Sequence, residues 1–215
     1  DEGLIPAEVL STLYGIVNLA GENIGQRWTP DVKTRILNSR IEITNRIVTA
    51  LRRNITLGLP VPSVLVNASA VGYYGNRPTG IQTEDNPLGQ GFLASVCRQW
   101  EQAATNALET GVRVVIFRFG IVLGPDGGVL TQMAGPFKWK MGGVVGSGNQ
   151  HISWVHRKDL IRAVSMALDH SDMSGAYNLT SPNPIRMDQF MRLLGKELGS
   201  PSWTKVPEFL VKLVF

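Results

Sequence analysis

The sequence predicts an α/β fold in which helices cover both faces of a parallel sheet. Leu13–Ala20 (LYGIVNLA), Pro62–Ala68 (PSVLVNA) and Val112–Phe117 (VRVVIF) are apolar almost throughout instead of alternating, as strands buried on both faces are. Stretches of helical periodicity separate them, giving the β–α alternation of a parallel sheet. The chain has 215 residues, 43% hydrophobic and 18% charged. That is enough apolar material for a core and too little charge for a disordered chain.

Each element can be justified in turn. The first strand runs out at Gly21. Thr29-Pro30-Asp31 then supplies a capping hydroxyl, a proline for the first turn and an acid at the positive end of the helix dipole. Val32, Ile36, Ile43, Ile47 and Leu51 carry the helix to Arg53. After the second strand, Phe92, Val96, Trp100, Ala103, Ala104 and Ala107 mark another amphipathic helix, closed by Gly111. From Gly124 the texture changes to short apolar pieces between the turns Pro125-Asp126-Gly127-Gly128 and Gly142-Gly143. A helix over Lys158–Leu168, a strand over Ala176–Leu179 and a last helix over Met187–Leu198, capped by Gly199, complete the pattern. The expected division is a sheet-bearing portion, 1–123, and an annex, 124–215, interleaved with the last sheet strand.

Composition excludes several classes. The net charge of +4 comes from scattered lysines and arginines, with no basic block or aromatic–basic interleaving to hold nucleic acid. The single cysteine, Cys97, rules out an internal disulfide framework and suits a reducing compartment. No run approaches the roughly 20 apolar residues of a membrane span, and Asp1 opens no signal-peptide pattern. His151, His156 and His170 show no metal-ligand spacing, so no metal is expected. A cytoplasmic location follows, or a plastid or mitochondrial one in a eukaryote.

Three strand-end motifs then combine: Val17-Asn18-Leu19-Ala20-Gly21, Ser69-Ala70-Val71-Gly72-Tyr73-Tyr74-Gly75, and Arg118-Phe119-Gly120-Ile121-Val122-Leu123-Gly124-Pro125. Their order resembles the extended short-chain dehydrogenase/reductases, where these stretches read HLAA, SSxxVYG and RxxNVYGP. With RWTPDVK, NSRIEIT, VCRQWE and GSGNQHISWVH, the match is to the atypical, epimerase-like branch, often described as NAD(P)-dependent sugar-nucleotide epimerases. The resemblance spans nearly the whole chain. It implies a Rossmann-like, doubly wound sheet and NADP as cofactor, with NAD as the other candidate.

The resemblance also implies more chain than these 215 residues. The family opens with a strand and a GxxGFIG-type turn that seats the cofactor's pyrophosphate on backbone N–H groups. No such turn lies upstream of Asn18, so the N-terminal strands are expected to be missing. The far end, Leu213-Val214-Phe215, stops short of the family's usual last helix.

By the same resemblance, Leu19, Ala20, Gly21, Arg40, Ala68, Gly120 and Val122 are the cofactor-binding candidates. Ser69, with Tyr73 or Tyr74, is the catalytic candidate, and Gln150 and Trp154 are candidates for lining the substrate pocket. The family's usual proton donor and its lysine form a YxxxK pair, in which the cation lowers the phenol's pKa. No YxxxK exists here; counting back from Glu101, the two positions fall on Leu93 and Cys97. Tyr73 and Arg77 have the right interval, but Gly75 and Pro78 put them on a loop. Each candidate also has an ordinary structural reading: Arg40 as a helix-surface charge, the tyrosines as pocket wall, Trp154 and Cys97 as core. His156-Arg157-Lys158-Asp159 reads as a helix start, and no arginine precedes Arg157 in the annex loop to grip a nucleotide diphosphate.

Two functions remain at this point. One is an NAD(P)-dependent oxidoreductase or epimerase-like enzyme acting on an unknown small molecule. The other is a non-catalytic NADP(H)-binding regulator or scaffold, as in plastid or cell division. Neither a nucleic acid nor a membrane is expected as partner, and a homodimer is left open.

Overall fold

In the computed structural model, residues 5–77, 80–125, 127–140, 142–200 and 204–206 are described. Their elements, in chain order, are α1 (Ala7–Thr12), β1 (Gly15–Asn18), α2 (Pro30–Thr56), β2 (Val64–Ala70), α3 (Phe92–Thr105), β3 (Arg113–Phe119) and β4 (Ile121–Leu123). There follow α4 (Gly128–Lys138), β5 (Gly143–Val145), β6 (His151–Ile152), β7 (Trp154–His156), α5 (Arg157–Asp169), β8 (Gly175–Leu179), β9 (Ile185–Arg186), α6 (Met187–Glu197) and β10 (Thr204–Val206).

The central sheet has the order β1-β2-β3-β8, and β1 runs parallel to β2 with Asn18 opposite Asn67. The apolar runs therefore are the sheet strands. β2 is buried over six consecutive residues, and Val114, Val115, Ile116 and Phe117 of β3 are all buried. Leu13, Leu19 and Ala20 fall outside β1, which is shorter than its apolar run.

The helix starting at Thr29 begins as its sequence requires. Thr29 is the N-cap, its Oγ1 accepting from Val32 N at 3.3 Å, with Pro30 at the first helical position. Ile47, Val48 and Leu51 of α2 meet Leu65, Ala104, Ala107, Val114 and Ile116 in one core cluster. Arg113 Nη1 donates to Ala167 O at 2.9 Å and Met173 O at 2.7 Å. The first of these bonds ties the end of α5 to the start of β3.

Two compact units can be distinguished. Within the described residues, one comprises 5–24, 28–118 and 161–178, the other 25–27, 119–160 and 179–206. The second contains three two-stranded pieces: β4 with β7 and β5 with β10, both parallel, and β6 with β9, antiparallel. It also contains α4, which starts at the end of the expected turn, at Gly128, and runs through Pro136. Phe137 of α4 is 1% exposed, so burial of an apolar face outweighs weak local propensity. Asp126, from the expected turn, and residues 213–215 lie outside the described residues. Gly199 ends α6 with φ +61° while Ser200 N donates back to Gly195 O, the left-handed cap its position predicted.

In urea unfolding monitored by circular dichroism, Leu51→Ala, at a fully buried position, should cost about 2–5 kcal/mol. Thr29→Ala should cost about 1 kcal/mol through the lost cap. Leu57→Ala, at an exposed site, should change stability by less than about 0.5 kcal/mol.

Candidate functional site

Ligands of parallel α/β sheets bind outside the carboxyl ends of the strands. Two polar networks are built there in the first unit. At the end of β1, the buried Asn18 Nδ2 donates to Asn67 Oδ1 at 2.7 Å and to Thr44 Oγ1 at 2.9 Å. Thr44 Oγ1 also accepts from Trp100 Nε1 at 3.1 Å and donates to Arg40 O at 2.7 Å. Asn18 Oδ1 accepts from Ala20 N at 3.3 Å, so this neutral network shapes the loop Leu19–Gly21 as well as joining two strands to two helices.

The second network is charged and lies beneath the end of β2. Arg118 of β3, 4% exposed, meets Glu101 of α3 in a two-pronged ion pair. Nε donates to Oε1 at 3.0 Å and Nη2 to Oε2 at 2.9 Å. Its Nη1 donates to Tyr74 Oη at 2.9 Å and to Glu84 O at 3.3 Å. Tyr74 in turn donates to Asn178 Oδ1 at 2.6 Å, and Asn178 N donates to Glu84 Oε1 at 2.6 Å. Burial disfavours the Arg118 charge, but bonding to Glu101 and Tyr74 more than offsets it and holds the guanidinium above its ordinary range.

The catalytic candidates separate cleanly within this network. Ser69 is 2% exposed and its Oγ donates to Glu101 Oε1 at 2.6 Å. Tyr74 is buried with its hydroxyl held between Arg118 and Asn178. Tyr73 is half-buried, and its ring lies over the Arg118 guanidinium, 3.5 Å from Cζ to the ring centroid. Among the described residues its hydroxyl has no hydrogen-bond partner.

Val71–Tyr74 form a 3₁₀ turn, and Arg77 beyond it donates from Nε to Tyr74 O at 3.3 Å. Tyr73 and Arg77 therefore do not share a helix face; Pro78 lies outside the described residues. Gly75 (φ +66°) and Gly89 bring two backbone segments together. A Cβ on Gly75 would fall 2.7 Å from Gln90 O, and one on Gly89 would strike Tyr74 O.

Leu93 and Cys97, the positions of the absent Tyr and Lys, do face this turn: a Cβ on Gly72 would lie 3.4 Å from Leu93 Cβ and 3.8 Å from Cys97 Sγ. Burial pushes the Cys97 thiol up, with the adjacent Glu101 charge adding to the shift and Ser69 opposing it.

Among the cofactor candidates, Leu19 and Gly21 are exposed and Ala20 is half-buried. Arg40 folds back onto its own surroundings. Nη1 donates to Ile36 O at 2.9 Å, Nη2 to Glu22 O at 3.1 Å, and Cζ lies 5.1 Å from the Trp100 ring centroid. Burial holds it below its ordinary range, while Cys97 and Glu22 oppose that shift. Ala68 is buried, its carbonyl accepting from Asn67 Nδ2 at 2.7 Å.

Gly120, Val122, Gln150 and Trp154 belong to the second unit. Gly120 N donates to Leu179 O at 3.2 Å, and a Cβ there would fall 2.7 Å from Ser153 O. Val122 pairs with Val155. Gln150 is exposed, with Oε1 accepting from Ser147 Oγ at 3.2 Å, and Trp154 Nε1 donates to Asn183 O at 3.2 Å. Among the described residues no group of three His, Cys, Asp or Glu is placed to hold a metal ion.

A family model described as the NAD dependent epimerase/dehydratase family matches residues 7–180. The chain belongs to that family. Among curated relatives, it is 44% identical over 197 residues to the chloroplastic Epimerase family protein SDR39U1 homolog of Arabidopsis thaliana, covering 92% of this chain. It is 36% identical over 211 residues to Epimerase family protein YfhF of Bacillus subtilis. The chain spans 56% of the length of the first and 68% of the second. The crystal structure of human epimerase family protein SDR39U1 (isoform 2) with NADPH matches with a TM-score of 0.85 and 31% identity. That match covers 100% of this chain and 74% of that one. The fold is thus the α/β, Rossmann-like epimerase fold, with a parallel central sheet.

Within this family fold, sequence reading passed over Glu101, Arg118, Asn18, Thr44, Asn67 and Asn178 as site residues. A signal was present for some of them: Arg118 interrupts the apolar run of β3, and Asn67 and Ser69 interrupt that of β2. Polar groups in strands buried on both faces need partners.

Glu101→Ala should therefore destabilise the protein by about 3–5 kcal/mol, because it leaves the Arg118 charge buried and unpaired. Adding Arg118→Met should recover much of that loss in chemical denaturation. Cys97 gives a pH test. Its raised pKa makes a contribution that is complete below the ordinary thiol value of about 8.5 and is lost as pH rises through the raised value. Between neutral and alkaline pH, Cys97→Ala should lose less stability than the wild type, read from unfolding midpoints.

Proposed function

We propose that this chain forms part of an NADP(H)-dependent oxidoreductase that acts on a small carbonyl compound, with Tyr73 as proton donor. The observation that carries this reading is the Tyr73 phenol, fixed at the carboxyl end of β2 with its hydroxyl without a partner among the described residues. The NADPH in the human relative's crystal structure supports the choice of cofactor.

The residues present suit the ribose side of such a cofactor. Leu19–Gly21 is an exposed loop of mostly small residues set by Asn18. A Cβ on Gly21 would come 2.9 Å from Arg40 Cζ, so glycine lets the guanidinium close over the loop. Arg40 directs two of its five N–H groups to backbone carbonyls and retains three for ribose or phosphate oxygens. Ala20, Gly21 and Arg40 would hold that end.

When bound, NADPH supplies the hydride that reduces a carbonyl carbon. Tyr73 gives its hydroxyl proton to the carbonyl oxygen, so the C=O becomes CH–OH and the phenolate regains its proton from solvent. Ser69 acts through Glu101, which it helps to fix. Ile152 is buried in the stretch between Gln150 and Arg157, where an arginine to hold a nucleotide diphosphate is absent. This favours a substrate lacking that group. A plastid address, in a eukaryotic source, is supported by the chloroplastic relative.

Leu93 and Cys97, facing the 3₁₀ turn where a Tyr-Lys pair would stand, support a second reading: an NADP(H)-binding regulator without turnover.

Fluorescence titration should show NADPH binding, weakened about tenfold by Arg40→Ala, or roughly 1.4 kcal/mol. Unchanged affinity would remove Arg40 from the site. With NADPH and a panel of aldehydes, diketones and quinones, loss of NADPH absorbance should mark turnover. Tyr73→Phe should slow it by about 10²-fold or more. Binding without turnover of any candidate would favour the regulator.

A further inference from the structure

The proposed donor lacks the cation that normally accompanies a catalytic tyrosine, since Cys97 stands at the lysine position and is neutral when protonated. A different cation touches it. The Arg118 Cζ lies 3.5 Å from the Tyr73 ring centroid and 5.3 Å from that of Tyr74. The two rings meet edge to face, with centroids 5.3 Å apart and planes at 79°. Only Tyr73 presents its face to the guanidinium at stacking distance.

We infer that Arg118 is a positioning residue for Tyr73, its guanidinium serving as a charged platform beneath the phenol in place of the missing lysine. The inference deepens the reading of Tyr73 as proton donor and rests on it for its functional meaning.

Three features support the assignment. The guanidinium cannot turn away: Glu101 takes Nε and Nη2, while Tyr74 Oη and Glu84 O take Nη1. Its charge is secured by the same bonds. Those partners also bond through the N–H groups at its edge, which leaves a face for the aromatic ring. A cation against a ring is held more strongly as the ring becomes electron-rich, so it favours the phenolate left after proton transfer. The carboxylate of Glu101 opposes this field from the guanidinium edge. Ser69, which donates to Glu101 at 2.6 Å, keeps that carboxylate in place.

Tetranitromethane attacks phenolate, which provides a test independent of cofactor and substrate. Nitration of Tyr73 is compared by peptide mass spectrometry with that of Tyr14, which is 63% exposed and outside the Arg118 network, its hydroxyl donating to Leu168 O. Replacing the ion pair by two amides, Glu101→Gln with Arg118→Gln, removes the charge and retains hydrogen-bonding groups. The Tyr73-to-Tyr14 nitration ratio should then fall about fivefold. Glu101→Gln alone leaves the cation without its carboxylate, and the ratio should stay level or rise.

A purely structural Arg118 predicts the opposite for the double variant, because looser packing exposes Tyr73 and speeds its nitration. A ratio in the double variant equal to or above the wild type overturns the inference, as does a clear fall in Glu101→Gln alone. If the double variant does not fold, Glu101→Gln with Arg118→Met, which also removes the charge and fills the space with an apolar side chain, takes its place and is read by the same ratio. Full turnover by Tyr73→Phe would instead overturn Tyr73 as donor and leave the nitration result standing.

Discussion

An arginine inside a strand buried on both faces must have a counter-charge, and most of the architecture at the strand ends follows from that demand. Arg118 lies in the central strand β3, and Glu101 on the buried face of α3 answers it with both carboxylate oxygens. A buried pair of this kind is weak evidence for stability, since desolvation cancels much of the attraction. Its contribution is positional. The guanidinium has further donors, and these place Tyr74 and the backbone of Glu84; Asn178 of β8 then follows through Tyr74. One ion pair thereby registers a helix, two strands and a loop against the turn that carries Tyr73.

The neutral network at β1 does comparable work without charge. Asn18 joins Asn67 and Thr44, and Thr44 joins Trp100 and the backbone of Arg40. Buried amides bonded to one another favour one arrangement because an alternative leaves donors or acceptors unsatisfied. The result is a defined loop at Leu19–Gly21 where small residues leave the backbone open. Among the described residues the two networks share no hydrogen bond, but both draw on α3, through Trp100 in one case and Glu101 in the other. The helix that elsewhere in the superfamily carries a Tyr-Lys pair here supplies structural polar groups one turn further on.

Much of the fold was legible because burial on both faces of a parallel strand produces an apolar run, and amphipathic helices between such runs leave few other architectures. Thr29 and Gly199 were legible as caps because their local chemistry does not depend on distant residues. The helix α4 was not, because Gly127, Gly128 and Pro136 oppose it locally and only burial of Phe137 reveals it. The site was legible in its motifs, and less so in its assignments. SAVGYYG offers three hydroxyls within six residues, and nothing local says which face inward.

By itself, the sequence determined the β–α order, the strand-end motifs, the absence of a YxxxK pair and the presence of charge within an apolar strand. Only the tertiary structure decided how those hydroxyls are used. Ser69 and Tyr74 turn into the Glu101–Arg118 network, while Tyr73 lies across it with its hydroxyl unbonded among the described residues. Glu101 and Arg118 are separated by a helix end, a turn and a strand. Their pairing depends on how α3 packs against β2 and β3, which no local pattern records.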